Sequence, residues 1–125
     1  MQESVASAGE GKLRVTCQLV GTNGQGLVAF VFGGELPHVG GQALASPGPQ
    51  LQGAQLSRCD LWVSTVPGHK DAEVAFAIAR ELCLTTGEPV SVTAGIHVDS
   101  ASLDEITVLG ANALAAARAA LDGLS

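Results

Sequence analysis

The hydrophobic period of the chain switches from two residues to about 3.6 near residue 70, back near residue 89, and again near residue 102. Few architectures accept that order of elements. "KLRVTCQLV" (Lys12–Val20) alternates, with Leu13, Val15, Cys17 and Leu19 on one face of a strand. "GTNGQG" is turn chemistry, and the apolar "LVAFVFGG" (Leu27–Gly34) completes an expected hairpin. "GQALAS" reads as a short third strand before a break at Pro47, Gly48 and Pro49, and "CDLWVSTV" (Cys59–Val66) as a fourth. Val74, Ile78 and Leu82 then recur at helical spacing until Gly87 and Pro89 stop the helix. "PVSVTAGIHV" (Pro89–Val98) returns to strand character. The last helix opens on Ser102 and Glu105 at capping-box spacing, and Leu103, Ile106, Gly110, Leu114, Ala117 and Leu121 trace its expected inner stripe. The order ββββαβα defines an α/β fold, an α+β sandwich with a mixed sheet of about five strands and two helices. Residues 12–125 are expected as a single domain, and residues 1–11 as a flexible tail of small and polar residues.

Chain direction brings the histidines into the argument. If the first four strands form a meander, the second and fourth point the same way, and a helical crossover makes the fourth and fifth parallel. All three then end at one edge of the sheet. His38, His69 and His97, the only histidines in the chain, lie just past those ends. Both helices begin there too, so their free N–H groups and positive dipole ends suit an anion such as a phosphate. Gly33, Gly34, Gly40, Gly41, Gly68 and Gly95 would let backbone approach a ligand closely.

Composition removes several function classes. Hydrophobic residues at 46% against 14% charged indicate a globular chain. A net charge of −6, with six scattered Lys and Arg, argues against nucleic acid. Phe30, Phe32, Phe76 and Trp62 are the only aromatic residues, too few for a base-stacking surface, and Trp62 is expected in the core. No apolar run nears the roughly 18 residues of a membrane helix. The opening "MQESVASAGEG" lacks the basic and apolar regions of a secretory signal, so the expected compartment is the cytoplasm. Cys17, Cys59 and Cys83 form no CxxC pair, which argues against a disulfide framework or a zinc ribbon. Cys17 and Cys83 fall in apolar patterns and read as buried, inert thiols.

Two motifs carry chemistry. His69–Lys70–Asp71 and His97–Val98–Asp99 are both H-x-D ahead of a helix, and residues i and i+2 of extended backbone share a face. With His38 they offer three imidazoles and two carboxylates, which suit a divalent metal or an acid–base pair. Asp71 and Asp99 would equally serve as helix caps, and any one histidine as a hydrogen-bonded strand end. The spacing matches no zinc signature, so His38, His69 and His97 stand only as candidate ligands. Lys70 opposes the dipole at its helix start by a few tenths of a kcal/mol, a placement that fits an anionic ligand and equally a solvated side chain. No nucleophile-elbow, Walker or dinucleotide-binding loop is present.

"GGELPHVGG", "GHKDAEVA" and "AGIHVDSASLDEI", in this order, resemble a known family: the LpdD-like prenylated-flavin chaperones, small accessory proteins of gallate-type, UbiD-like aromatic acid decarboxylases. The resemblance covers roughly Phe32 to Asn112. It implies a compact α/β domain similar to proteasome assembly chaperones, commonly a homodimer. It implies no catalysis, but binding of prenylated FMN as cargo and delivery to the decarboxylase. Within the matching motifs, the cofactor-binding residues it points to are Pro37, His38, Gly68, His69, Lys70, Asp71, Gly95, His97 and Asp99. Two other readings compete with it: a small metal-dependent hydrolase or lyase built on the H-x-D pairs, and a structural oligomerisation subunit.

Overall fold

The computed structural model describes residues 1–48 and 58–124; Pro49, part of the expected break, lies outside them. The strands are β1 (Gln2–Ala8), β2 (Val15–Gly21), β3 (Leu27–Gly34), β4 (Gly41–Pro47), β5 (Cys59–Thr65) and β6 (Val90–His97). Helix α1 (Asp71–Thr86) joins β5 to β6, and α2 (Leu103–Asp122) follows β6. The sheet order is β1-β2-β3-β6-β4-β5. This is the expected mixed sheet with two helices, enlarged by one strand. The segment expected as a tail supplies that strand: Gln2–Ala8 pairs antiparallel with β2 from Gln2↔Gly21 to Ala8↔Val15.

The expected meander is broken at its third link. β6 inserts between β3 and β4, parallel to β3 and antiparallel to β4, and β4 pairs antiparallel with β5. Direction survives this rearrangement, because two antiparallel steps from β6 to β5 leave β5 pointing with β6 and β3. All three strands end at the same edge.

Both helices cover one face. Its rows contain Val15, Cys17, Leu19, Ala29, Val31, Ala43, Val90, Val92 and Ala94, packed against Ala75, Ile78, Ala79, Leu82, Cys83, Leu109, Ala113, Ala116, Ala117 and Ala120. Each large buried side chain contributes about 1.5–3 kcal/mol. Many of the facing residues are alanine, so helix and sheet backbones lie close together. A Cβ at Gly41 would overlap the backbone of Ala72, which fixes the start of α1 against the start of β4. Helix α1 closes with Gly87 in the left-handed region (φ 73°), its N–H on the Cys83 carbonyl. The buried stripe of α2 is rotated from the expected one: Leu103 and Ile106 are exposed, while Leu109, Ala113, Ala116, Ala117 and Ala120 face the sheet. Cys17 and Cys83 are buried, and burial pushes both thiols up to about 11.

Among the described residues, no helix packs on the opposite sheet face. Cross-strand register aligns Val20, Val28, Ser91, Leu44 and Trp62 in one row and Val5, Gln18, Phe30, Thr93 and Gln42 in the next. Trp62, expected in the core, projects from this face and is 58% exposed.

Candidate functional site

The site grows from the turn "VPGHKD". Val66 N–H donates to the Gly40 carbonyl (2.9 Å) and His69 N–H to the Val66 carbonyl (3.1 Å), with Gly68 at φ 82° making the bend. Lys70 stands at the N-cap of α1 without a capping side chain, and Asp71 is the first helical residue. Because α1 sits tight on β4, Asp71 is carried beneath the sheet edge and is only 7% exposed. The β4 ladder begins at Gly41 opposite Ala94. Beyond it, Asp71 Oδ1 accepts the amide of Ile96 (2.9 Å). The carboxylate is thereby fixed with Oδ2 facing the histidines.

His38 reaches Oδ2 from the loop between β3 and β4. Gly34, at φ 72°, turns the chain over the end of β6, and Glu35 N–H donates to the His97 carbonyl (2.7 Å). The loop then crosses Gly95, where a Cβ would overlap the His38 carbonyl. A Cβ at Gly40 would overlap the Asp71 carboxylate and crowd the His38 ring. These two absent side chains make room for the cluster. His38 Nδ1–H donates to the Leu36 carbonyl (2.9 Å), and Nε2 lies 2.9 Å from Asp71 Oδ2 and 3.1 Å from His69 Nδ1. His69 Nδ1 is 3.6 Å from the same Oδ2. The Leu36 carbonyl, foremost, holds the His38 imidazole above its ordinary range; Asp71 reinforces this and desolvation opposes it.

The second H-x-D behaves differently. His97 Nε2–H donates to Asp99 Oδ1 (2.7 Å), but the Asp99 side chain is 82% exposed. The His97 ring stands edge-on to His38, 6.4 Å between centroids. Asp99 N–H donates to Glu35 Oε1 (2.8 Å). Neither aspartate caps a helix: Ser102 and Glu105 form the reciprocal capping box of α2.

A cleft of about 270 Å³ opens beside the cluster, with His38, His69, Lys70, Asp71 and His97 at one end. Val74, Ile96, Val98, Ile106 and Leu109 form its apolar wall. The three histidines do share one edge. Gly68 lines the cleft. Gly95 acts through its contact with the His38 loop. Pro37 is exposed and does not line the cleft. His38, His69 and Asp71 place a ligand atom each within 4.8 Å of one another, and His97 stands outside that set. Sequence reading missed Glu35, the Leu36 carbonyl and the Ile96 amide. Glu35 sits inside the motif "GGELPHVGG", but backbone groups carry no residue signal.

The molecule is thus a small α+β domain with an imidazole–carboxylate rim over an apolar cleft. The family model for the prenylated flavin chaperone LpdD-like domain matches residues 9–125, and the chain belongs to that family. Comparison with curated proteins gives no match. Among solved structures, a chain of a chaperone complex for yeast 20S proteasome assembly superposes with a TM-score of 0.57 at 15% identity, covering 97% of this chain and 92% of that one. That likeness is one of fold.

Proposed function

We propose that this chain is a non-enzymatic carrier that binds prenylated FMN and delivers it to a UbiD-like aromatic acid decarboxylase in the cytoplasm. The observation that carries the reading is the meeting of His38, His69, Lys70 and the starts of both helices at the mouth of one apolar cleft. Imidazole N–H, ammonium and helix N-terminal groups are the chemistry that seats a phosphate. Val74, Val98, Ile106 and Leu109 offer aliphatic surface to a flavin or its prenyl-derived ring. Among the described residues no aromatic ring other than the histidines lines the cleft. A volume of about 270 Å³ is near the lower end of the roughly 300–1,000 Å³ usual for ligand pockets. It suits one end of the cofactor and leaves the rest accessible for hand-over. A carrier must hold its cargo less tightly than the receiving enzyme does, and a half-open cleft meets that requirement.

The reading includes a homodimer. The sheet face opposite the helices presents Val5, Val28, Leu44 and Trp62, each more than 40% exposed, and large exposed apolar residues gathered on one face ordinarily mark an interface. Trp62→Ser is expected to shift the chain from dimer to monomer in sedimentation while leaving its circular dichroism intact. A wild-type chain that sediments as a monomer would remove the dimer from the reading. Among the described residues no helix is long and apolar enough to cross a membrane.

The test is co-production with a flavin prenyltransferase, followed by purification and a visible spectrum beside metal analysis. A flavin chromophore retained by the wild type and lost in His69→Ala and His97→Ala supports the carrier. A preparation without chromophore that hydrolyses or cleaves substrates in a metal-dependent way would replace the carrier with an enzyme.

A further inference from the structure

We propose that His38, His69 and Asp71 form a binding site for one divalent first-row transition ion, with open coordination positions facing the cleft. The argument begins with the count of protons. The Leu36 carbonyl can only accept, so His38 Nδ1 carries a hydrogen and Nε2 of the neutral ring presents a lone pair. That lone pair lies 2.9 Å from Asp71 Oδ2 and 3.1 Å from His69 Nδ1. Asp71 Oδ2 and His69 Nδ1 are 3.6 Å apart. Three atoms that can each offer a lone pair to a cation thus converge on one point. Hydrogen bonds join these atoms only pair by pair, whereas one cation serves all three donors at once.

The dimensions fit. Donors each about 2.1 Å from one ion stand roughly 3.0 Å apart in octahedral and about 3.4 Å apart in tetrahedral coordination. The observed triangle of 2.9, 3.1 and 3.6 Å brackets those separations. Two imidazoles with one carboxylate are borderline-soft donors suited to zinc, cobalt or ferrous iron; two nitrogen donors disfavour calcium and magnesium, which take oxygen.

The surroundings are built for ligation. His38 is oriented by a backbone carbonyl at its far nitrogen, and Asp71 by the Ile96 amide at its far oxygen, which leaves Nε2 and Oδ2 directed inward. Glycine at 40 keeps the space next to both atoms free, and glycine at 95 seats the His38 loop. The fourth side opens on the cleft, so an ion held there would take an anionic oxygen from a ligand such as a phosphate. The site does not depend on flavin being the cargo, and it is tested without flavin.

The full chain, treated with chelator and dialysed, is titrated with Zn²⁺ by calorimetry and with Co²⁺ by visible absorption. One ion per chain is expected. Asp71→Asn and His69→Gln should each weaken binding at least tenfold, while His97→Gln leaves it within twofold; circular dichroism checks the fold of every variant. Absence of stoichiometric binding by the wild type overturns the proposal. So does binding that survives Asp71→Asn and His69→Gln but falls in His97→Gln. Either result leaves the flavin reading standing, because chromophore retention is measured separately and in the presence of chelator.

Discussion

The chain uses H-x-D twice at one sheet edge, and the two copies have opposite fates. Asp71 opens a helix drawn tight against β4 and is nearly buried, held by the Ile96 amide and shared by two imidazoles. Asp99 lies in an exposed turn before α2 and, among the described residues, meets His97 and Glu35. Identical spacing therefore says little about chemical role; the packing of the following helix decides it. The buried copy is a charged group with a fixed direction, in a setting where interactions are strong. The exposed copy is a surface pair, worth about 0–1 kcal/mol.

The contrast is broken most severely from beneath. Gly95→Ala places a methyl group on the His38 carbonyl, with backbone on both sides unable to move. A loss of about 3 kcal/mol or more is expected in denaturant unfolding, up to failure to fold. The same change at Gly68, whose surroundings are open but whose φ is 82°, should cost only about 1–2 kcal/mol. Equal costs would mean that the His38 loop has slack and that the buried cluster is not sterically fixed.

The carboxylates themselves come next. Asp71→Asn should cost about 1–3 kcal/mol, since the pairing at His38 and His69 is lost in a buried setting, and it should abolish flavin retention. Asp99→Asn should stay within roughly 0.5 kcal/mol. Thermal unfolding of both variants side by side sharpens the comparison; parity would erase it.

The smallest effect is at the start of α2, and it depends on pH. The Ser102 amide, and then Lys12, hold the Glu105 carboxyl below its usual 4.5. A depressed carboxylate stabilises the fold above its unfolded value, so this contribution is complete above about pH 4.5 and is lost as pH falls through the folded value. Glu105→Gln should remove that acid-side slope from the melting temperature, lowering it slightly at neutral pH and leaving it unchanged in strong acid. A wild-type slope retained in the variant would assign the acid sensitivity elsewhere.

How legible this was in the sequence depends on which physical signal each feature left. The shared edge was readable, because strand direction follows from crossover geometry and is insensitive to which strands become neighbours. The neighbours were not: β6 inserts between β3 and β4, and no local pattern in "PVSVTAGIHV" names its partners. "QESVASA" was missed as a strand because small and polar residues give a weak alternation, visible only once β2 offers an edge. Trp62 was misplaced since period two puts Leu61 and Trp62 on opposite faces without saying which face the helices cover. In α2 the large residues drew the expected stripe, whereas close packing selected the alanines. At the site, residue types pointed to His38, His69, Asp71, His97 and Asp99 together. What separated them into a buried cluster and a surface pair was backbone: one amide, one carbonyl and the room at two glycines.

The central claim is that the rings of His38 and His69 touch the cargo. Its most direct test is a long-range ¹H–¹⁵N spectrum of histidine side chains, recorded as prenylated FMN is added under anaerobic conditions. The account predicts stoichiometric shifts of the His38 and His69 ring nitrogens, saturating together with flavin binding. Flavin that binds stoichiometrically while both sets of ring signals stay in place would contradict it.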